Sequence, residues 1–190
     1  IDFIKHPLYE TGGAFDNDFL LLILDTAVDG IIPVVLHDGS SPIVREDDRL
    51  LVFGWGRTST DPEIKTTSDI LFEAKLNYLN NISCIEKFRG QFTVTDQMMC
   101  AIAENQDIQI CRGDSGGPLM IKGNNIRSDE VQVGVASFVA EIRNRRICLP
   151  QFPSVYARVS EGLDWICSTL VESSFVEDQP ACLRFFSKSP

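Results

Sequence analysis

The residues whose types and spacing could do chemistry are concentrated at positions 111–118, which read CRGDSGGP. Glycine tolerates backbone conformations that other residues avoid, so this run predicts a sharp turn that comes close to another part of the molecule. A serine on such a turn is either a cap or a nucleophile with an exposed Oγ. An isolated Asp-Ser-Gly is usually only a turn, so the argument depends on the full string.

Two catalytic arrangements use a serine of this kind. In a strand–turn–helix nucleophile elbow, the acid and then the histidine follow the serine in the chain. Here the histidines are His6 and His37, and both precede Ser115. Pro118 and the apolar residues after it also predict a strand rather than a helix. The elbow is therefore excluded, and the chain order His, Asp, Ser remains.

Residues 113–118 resemble the Gly-Asp-Ser-Gly-Gly-Pro signature of the trypsin/chymotrypsin family of serine proteases, peptidase family S1. The resemblance implies that Ser115 is the nucleophile. It also implies that the backbone N–H groups of Gly113 and Ser115 form the oxyanion hole. In the family, the residue at the position of Asp114 pairs with the N-terminal ammonium that zymogen cleavage creates.

The stretch at 17–22, NDFLLL, resembles the family's Asn-Asp-Ile-Ala-Leu-Leu segment. The resemblance implies that Asp18 is the acid that orients the catalytic imidazole and stabilises its charged form. The alternative is that Asp18 only caps or solvates the start of a strand. The presence of the nucleophile signature downstream favours the catalytic interpretation.

The histidine base is missing from its expected context. The family places it before the acid in Ala-Ala-His-Cys, whereas His6 stands in a His-Pro-x-Tyr pattern that resembles a non-catalytic stretch, and His37 follows Asp18 in a loop. The mature N-terminus Ile-Val-Gly-Gly is also absent. We expect a fragment of an intact protease that lacks the base and is inactive as written. The rival is a non-catalytic homologue that acts as a secreted binding or inhibitor protein.

Substrate choice follows from four positions. The family's specificity aspartate aligns with Gln109, and its two pocket-wall glycines align with Val139 and Ser154. Ser137 opens the edge strand that pairs with the substrate backbone. These departures predict a small or medium uncharged residue before the cleaved bond, in place of lysine or arginine. The alternative is a partly filled pocket without function.

Composition restricts the partners. With 17 Lys and Arg against 27 Asp and Glu, the formal net charge is −10, which argues against nucleic acid and anionic membranes. No apolar run is long enough to span a bilayer. The expected partners are protein or peptide substrates, with protein inhibitors as further candidates, and no metal or cofactor is expected. The Asn81 glycosylation sequon is a weak signal.

The cysteine count of six is even, and no C-x-x-C pair suggests zinc. Disulfides, an oxidising compartment and secretion are the expectation. The resemblance implies bonds Cys84–Cys100 and Cys111–Cys148. The remaining pair, Cys167–Cys182, would tie a C-terminal tail at 172–190 to the main domain at 1–171.

The family resemblance implies an all-β fold, a chymotrypsin-like double Greek-key β-barrel whose first barrel is incomplete, followed by a C-terminal helix. Alternating apolar residues predict strands near 71–79 and 131–139, and 27–35 is expected to be strand or extended chain. Ser160 is expected to cap the helix that Leu163, Ile166 and Leu170 indicate. Missing strands would expose sheet edges, so we expect this chain to be poorly stable or to aggregate.

Overall fold

The computed structural model describes residues 1–40, 49–121, 130–142, 145–172 and 182. Within these ranges the chain is mostly β-strand, with two helices. The strands are β1 (Asp2–Lys5), β2 (Leu20–Ile23), β3 (Val35–Leu36), β4 (Arg49–Gly54), β5 (Phe72–Leu79), β6 (Met98–Ile102), β7 (Pro118–Ile121), β8 (Val131–Phe138) and β9 (Ser154–Arg158). The helices are α1 (Asn81–Lys87) and α2 (Val159–Glu172).

Six of the strands close into a barrel. They follow the order β8-β7-β4-β5-β6-β9, and β9 pairs back onto β8, so that no edge remains between them. All of these pairings are antiparallel, while β3 adds to β8 in parallel on the outside. Leu50, Leu76, Leu119 and Val133 fill the interior, each at most 1% exposed. The predicted barrel with a C-terminal helix is confirmed.

Strands β1 and β2 form a separate two-stranded antiparallel ribbon, in which Phe3 faces Leu22 and Lys5 faces Leu20. Among the described residues, we assign this ribbon to the incomplete first barrel that the family resemblance implies. Successive side chains of a strand point to opposite faces. Phe3, Leu20 and Leu22 share one face, and each is more than half exposed.

The ribbon reaches the rest of the molecule through Phe19, the residue just before β2. Phe19 is 6% exposed, and its ring lies so close to Gly162 of α2 that a Cβ there would meet ring atoms at 2.6 Å. The His6 ring also packs edge-on against Trp165 of α2, with centroids 4.7 Å apart. Helix α2 therefore holds the end of the ribbon that carries Asp18.

The structure narrows one sequence expectation and corrects another. Of the stretch 27–35, expected to be strand or extended chain, only Val35 pairs with another strand. Gly30 has φ +74° and Pro33 lacks an N–H, so neither suits a continuous ladder. Helix α2 begins at Val159, which places Ser160 inside the first turn rather than at the cap.

The three expected disulfides, Cys84–Cys100, Cys111–Cys148 and Cys167–Cys182, are all present. Of the tail at 172–190, the structure describes the backbone of Glu172 and the side chain of Cys182, which is fully buried against Leu163 and Cys167. The remainder, 173–181 and 183–190, lies outside the described residues. Within the described part, no helix combines the length and apolar character needed to cross a bilayer.

Candidate active site

The loop around Ser115 is fixed by its own backbone and by β8. Asp114 N–H donates to the Cys111 carbonyl at 3.0 Å, and Gly117 N–H donates to the Asp114 carbonyl at 2.9 Å. Gly116 N–H donates to Ala136 O at 2.9 Å, which joins the loop to β8. The Ser115 side chain is left exposed at the surface of this rigid turn.

Two N–H groups beside the Ser115 side chain are available to a ligand. Among the described residues, neither Gly113 N–H nor Ser115 N–H donates to a protein acceptor, although the N–H groups of Asp114 and Gly116 do. Gly113 has φ +102°, a conformation suited to glycine, and a Cβ there would lie 3.2 Å from the Gly56 backbone. Arg57 N–H donates to Arg112 O at 3.0 Å and so orients the peptide that carries the Gly113 N–H. The loop therefore offers two donors to an incoming oxygen.

Asp114 points away from Ser115, into the barrel end. Its carboxylate accepts from Gly56 N–H at 2.7 Å and from Cys111 N–H at 2.8 Å. A Cβ at Gly54 or Gly56 would overlap the carboxylate, which explains the Gly-Trp-Gly sequence at the end of β4. Sequence reasoning missed this role of the two glycines. A cavity of about 500 Å³ with mostly apolar walls opens beside Asp114.

Asp18 meets β8 close to the nucleophile loop. Ser137 Oγ donates to Asp18 Oδ2 at 2.6 Å. The preceding residue, Ala136, exchanges backbone hydrogen bonds with Gly116 and Gly117. The ribbon and the barrel thus bring Asp18 and Ser115 to the same end of β8. The Ser137 strand was predicted to pair with the substrate backbone, and the Ser137 hydroxyl bonds to Asp18 in addition.

Tyr9 is a further group near the acid. Burial, followed by the negative charge of Asp18 and then of Glu10, raises the pKa of the Tyr9 phenol. The Lys5 ammonium lies 4.0 Å from the centre of the Tyr9 ring. The phenol therefore stays neutral at physiological pH beside Asp18.

His6 is placed as a structural residue. Its imidazole is 7% exposed, packs on Trp165, and accepts from Leu8 N–H through Nδ1 at 3.2 Å. Burial lowers the pKa of His6, and the nearby Asp16 charge opposes that shift. A ring turned into the α2 contact does not face Ser115, so His6 is a poor candidate for the base.

His37 lies at the other end of β8. Its backbone N–H donates to Gln132 O at 2.9 Å, five positions before Ser137 in the same strand. Five strand residues span roughly 16 Å, which separates this imidazole from Asp18. His37 is buried and lines a cavity together with Met99 and Val133. The structure therefore brings neither histidine of this sequence to the acid and the serine.

Of the four predicted substrate-binding positions, Gln109 and Ser154 are in contact with each other. Ser154 Oγ donates to Gln109 Oε1 at 3.4 Å, and Val139 packs against the Cys111–Cys148 disulfide. Sequence reasoning missed Tyr156, whose fully buried phenol belongs to the same strand as Ser154.

The rim beside Ser115 holds two more features that sequence reasoning missed. Arg112 and Glu141 form an exposed ion pair at 2.7 Å. Phe138, next to Ser137, has Phe15 and Phe92 against it with ring centroids 5.0 and 4.3 Å away. Phe15 has φ +63°, unusual for an aromatic residue. No periodic signal links these positions, which come together only through the fold.

Two weaker sequence signals also have places in the structure. The Asn81 side chain donates to Thr95 O at 2.8 Å and accepts from the Arg158 guanidinium at 3.2 Å. The sequon amide is thus used in holding α1 to the barrel. Across the described ranges, no group of three or more His, Cys, Asp or Glu side chains is arranged to hold a metal.

The sequence of this chain is similar to several known proteins. A family model described as Trypsin matches residues 1–166. The chain is 30% identical over 176 residues to a proclotting enzyme of Tachypleus tridentatus, covering 88% of the chain and 43% of that protein. Over 165 residues it is 33% identical to trypsin 5G1 of Aedes aegypti, with 85% and 56% covered.

A third relative is melanization protease 1 of Drosophila melanogaster, 36% identical over 173 residues, with 86% of this chain and 40% of that protein covered. The chain spans about half the length of these curated relatives. The solved structure of mouse neuropsin, a serine protease expressed in the limbic system, superposes with a TM-score of 0.71. It covers 90% of this chain and 70% of that chain at 24% identity, a likeness of fold.

Proposed function

Because the chain belongs to the trypsin family of serine proteases, we propose that it contributes the nucleophile, the acid and the oxyanion hole of a serine endopeptidase. The observation that carries the proposal is the pair of unused N–H groups on Gly113 and Ser115, which flank Asp114 in the turn that exposes Ser115. Two donors at that place suit an oxygen that becomes negative during the reaction.

In the proposed reaction, Ser115 Oγ attacks the carbonyl carbon of the peptide bond, and its proton passes to a base. The carbonyl oxygen gains the negative charge and accepts from Gly113 N–H and Ser115 N–H. Collapse of the tetrahedral intermediate breaks the C–N bond, and the base returns the proton to the leaving amine. Water then hydrolyses the acyl-enzyme by the same steps. A single oxyanion donor is worth roughly 10²- to 10³-fold in kcat.

The base in this proposal is a histidine outside the 190 residues, because His6 packs against α2 and His37 lies at the far end of β8. Asp18 is its orienting partner, and the Ser137 hydroxyl bond at 2.6 Å fixes the carboxylate for that task. A catalytic carboxylate of this kind selects the imidazole tautomer and stabilises the imidazolium. The serine acts with its base as a unit, so activity requires both.

Asp114 has a regulatory role in the same proposal. One side of its carboxylate meets a largely apolar cavity whose wall includes Val52, Ile108 and Ile110. An N-terminal ammonium with an apolar first side chain suits such a cavity next to a carboxylate. Its arrival would strengthen the hold on Asp114 and hence on the adjacent Ser115 turn. The three disulfides suit an oxidising environment, and we propose that the protein is secreted.

The test uses the full gene product, read from the 5′ end of its transcript, and a fluorophosphonate probe that reacts with activated serines. We expect labelling of Ser115 that Ser115→Ala abolishes. The matched control is Ser168→Ala, since Ser168 is an exposed serine on α2 and should leave labelling unchanged. An unlabelled Ser115 in a product that carries a histidine before Asp18 would contradict the proposal.

A further inference from the structure

We propose that Asp16 is a positioning residue for the candidate acid. Its carboxylate fastens the loop that precedes Asp18 to the barrel, and this hold reaches Asp18 through Asn17. Asp16 acts through its neighbour rather than on the reacting atoms. The inference rests on the proposed function, because it concerns the acid of that site.

The evidence begins with the burial of the Asp16 carboxylate. Asp16 is only 5% exposed, and a buried carboxylate needs partners. Its Oδ1 accepts from the Thr95 hydroxyl, and its Oδ2 accepts from the Asn17 amide at 3.1 Å. A Cβ at Gly12 would overlap Oδ2, so the glycine there makes room for the carboxylate. The side chain is therefore fixed at both of its oxygens.

Thr95 lies just before β6, on the barrel side of this contact. Its carbonyl accepts from Met98 N–H at 3.1 Å and from the Asn81 amide at 2.8 Å. Asn81 in turn accepts from the Arg158 guanidinium at 3.2 Å. Thr95 is thus held by β6 and α1, and through Asn81 by the end of β9. The bond to Thr95 therefore ties the loop before Asp18 to the barrel.

The hold on Asp16 passes to Asp18 through Asn17. The Asn17 side chain is buried and donates both to Asp16 Oδ2 and to Leu8 O. The Asn17 carbonyl accepts from Phe19 N–H at 2.8 Å, so Asp18 is the middle residue of a three-residue turn. A turn of that size leaves its middle residue little freedom. The direction of the Asp18 carboxylate therefore depends on where Asn17 is held.

The backbone on both sides of Asp16 is strained. Phe15 has φ +63° and Asn17 has φ +52°, in the left-handed region that residues other than glycine rarely adopt. Such conformations persist where surrounding contacts over-determine them. The two bonds of the Asp16 carboxylate supply contacts of this kind. Without them we expect the loop to relax and Asp18 to turn away from Ser137 Oγ, its partner at 2.6 Å.

The test removes the Asp16–Thr95 bond from the barrel side. Thr95→Val in the full gene product keeps the side-chain shape and leaves the Asp16 charge beside His6 in place. Fluorophosphonate labelling run to completion counts the competent sites, and the turnover of a peptide substrate is divided by that count. We expect kcat per site to fall roughly 10- to 100-fold, the cost of a misplaced catalytic group, with KM changed by less than about 2-fold. A merely structural role would lower the number of competent sites and leave kcat per site unchanged.

Further variants assign the effect to this bond. Thr95→Ser keeps the hydroxyl and should bring kcat per site close to the natural value. Asp16→Asn replaces one acceptor oxygen with an N–H donor and should also lower kcat per site, which covers the case in which Thr95→Val does not fold. The matched control is Thr169→Val, since the hydroxyl of this buried threonine donates to Trp165 O within α2. An unchanged kcat per site in either folded variant, or a Thr95→Ser variant as slow as Thr95→Val, would overturn the inference.

Hydrogen exchange separates this inference from the proposed function. The Phe19 amide bond spans Asp18 and reports the turn without any reaction, and in Thr95→Val we expect that amide to exchange roughly 10-fold faster while β4 to β9 keep their protection. Faster exchange together with an unlabelled Ser115 in the natural protein would refute catalysis and support the hold on Asp18. Unchanged exchange of Phe19 would overturn the inference whether or not Ser115 is labelled, and labelling would leave the proposed function standing.

Discussion

The β1–β2 ribbon and the six-stranded barrel both contain strongly apolar strands, but only the barrel buries them. In the barrel, Leu119 is fully buried and each strand pairs on both sides. In the ribbon, Leu22 is 53% exposed and Phe3 69% exposed, and each strand has one partner. A two-stranded ribbon is at best marginally stable alone. The ribbon therefore depends on its contact with α2, whereas the barrel supports itself.

This contrast matters because the candidate site lies across the boundary. Ser115 and the two free N–H groups belong to the barrel, but Asp18 belongs to the end of the ribbon. The Asp18–Ser137 hydrogen bond and the Phe19–α2 contact join the two regions. The oxyanion hole can thus be well formed in a molecule whose acid is poorly held. The predictions below measure that difference.

The largest expected difference comes from replacing a leucine with alanine in each of the two regions. Leu119→Ala should lower the free energy of unfolding by about 3 kcal/mol, because it removes a fully buried side chain and leaves a cavity. Leu22→Ala should cost less than about 1 kcal/mol, since that side chain is already half in water, and it should reduce aggregation. Urea denaturation followed by fluorescence measures both. Equal costs would show that the ribbon is packed as firmly as the barrel.

A smaller effect is expected at the junction. Gly162→Ala places a methyl group against the Phe19 ring, and overpacking of this kind typically costs about 1–3 kcal/mol. We expect hydrogen exchange to quicken in β1 and β2 while β4 to β9 keep their protection. Ser168→Ala on the exposed side of α2 is the control and should change neither region. A uniform change over the whole chain would mean that ribbon and barrel unfold together.

The smallest effect is a pH dependence at the same junction. Burial lowers the pKa of His6, so the folded state keeps it neutral while the unfolded chain takes up a proton below about pH 6.5. Stability is therefore lost as the pH falls through 6.5 toward the lower folded pKa. Replacing His6 with glutamine should reduce that loss between pH 7 and 5, as measured by thermal melts. A variant with an unchanged pH profile would assign the acid sensitivity to other groups.

The family resemblance implied the barrel and the disulfide pairs Cys84–Cys100 and Cys111–Cys148, and alternating apolar residues located two of its strands, near 71–79 and 131–139. The run CRGDSGGP and the NDFLLL stretch also located the loop and the Asp18 carboxylate that the fold brings to one end of β8. These signals are local in the chain, so each can be seen without the tertiary structure. The turn at Ser115 follows from its glycines alone.

Other features depend on contacts between distant residues, which no local pattern reveals. The requirement for glycine at positions 54 and 56 is visible only in the folded structure, where the Asp114 carboxylate packs against both. The 27–35 stretch is apolar enough for a strand, but Gly30 and Pro33 interrupt it and only its last residue, Val35, pairs with another strand.

The Asp18–Ser137 hydrogen bond closes a loop of 119 residues. Contacts between residues so far apart in the chain are made late in folding, because the entropy of closing the loop must be offset by contacts already formed. The barrel must therefore complete β8 before the acid has a partner to hold it. We expect refolding to restore barrel fluorescence first and the protection of the β1 and β2 amides afterwards. In this order of folding the nucleophile is in place before its acid. Partly folded molecules therefore have an ordered Ser115 turn but no catalytic activity.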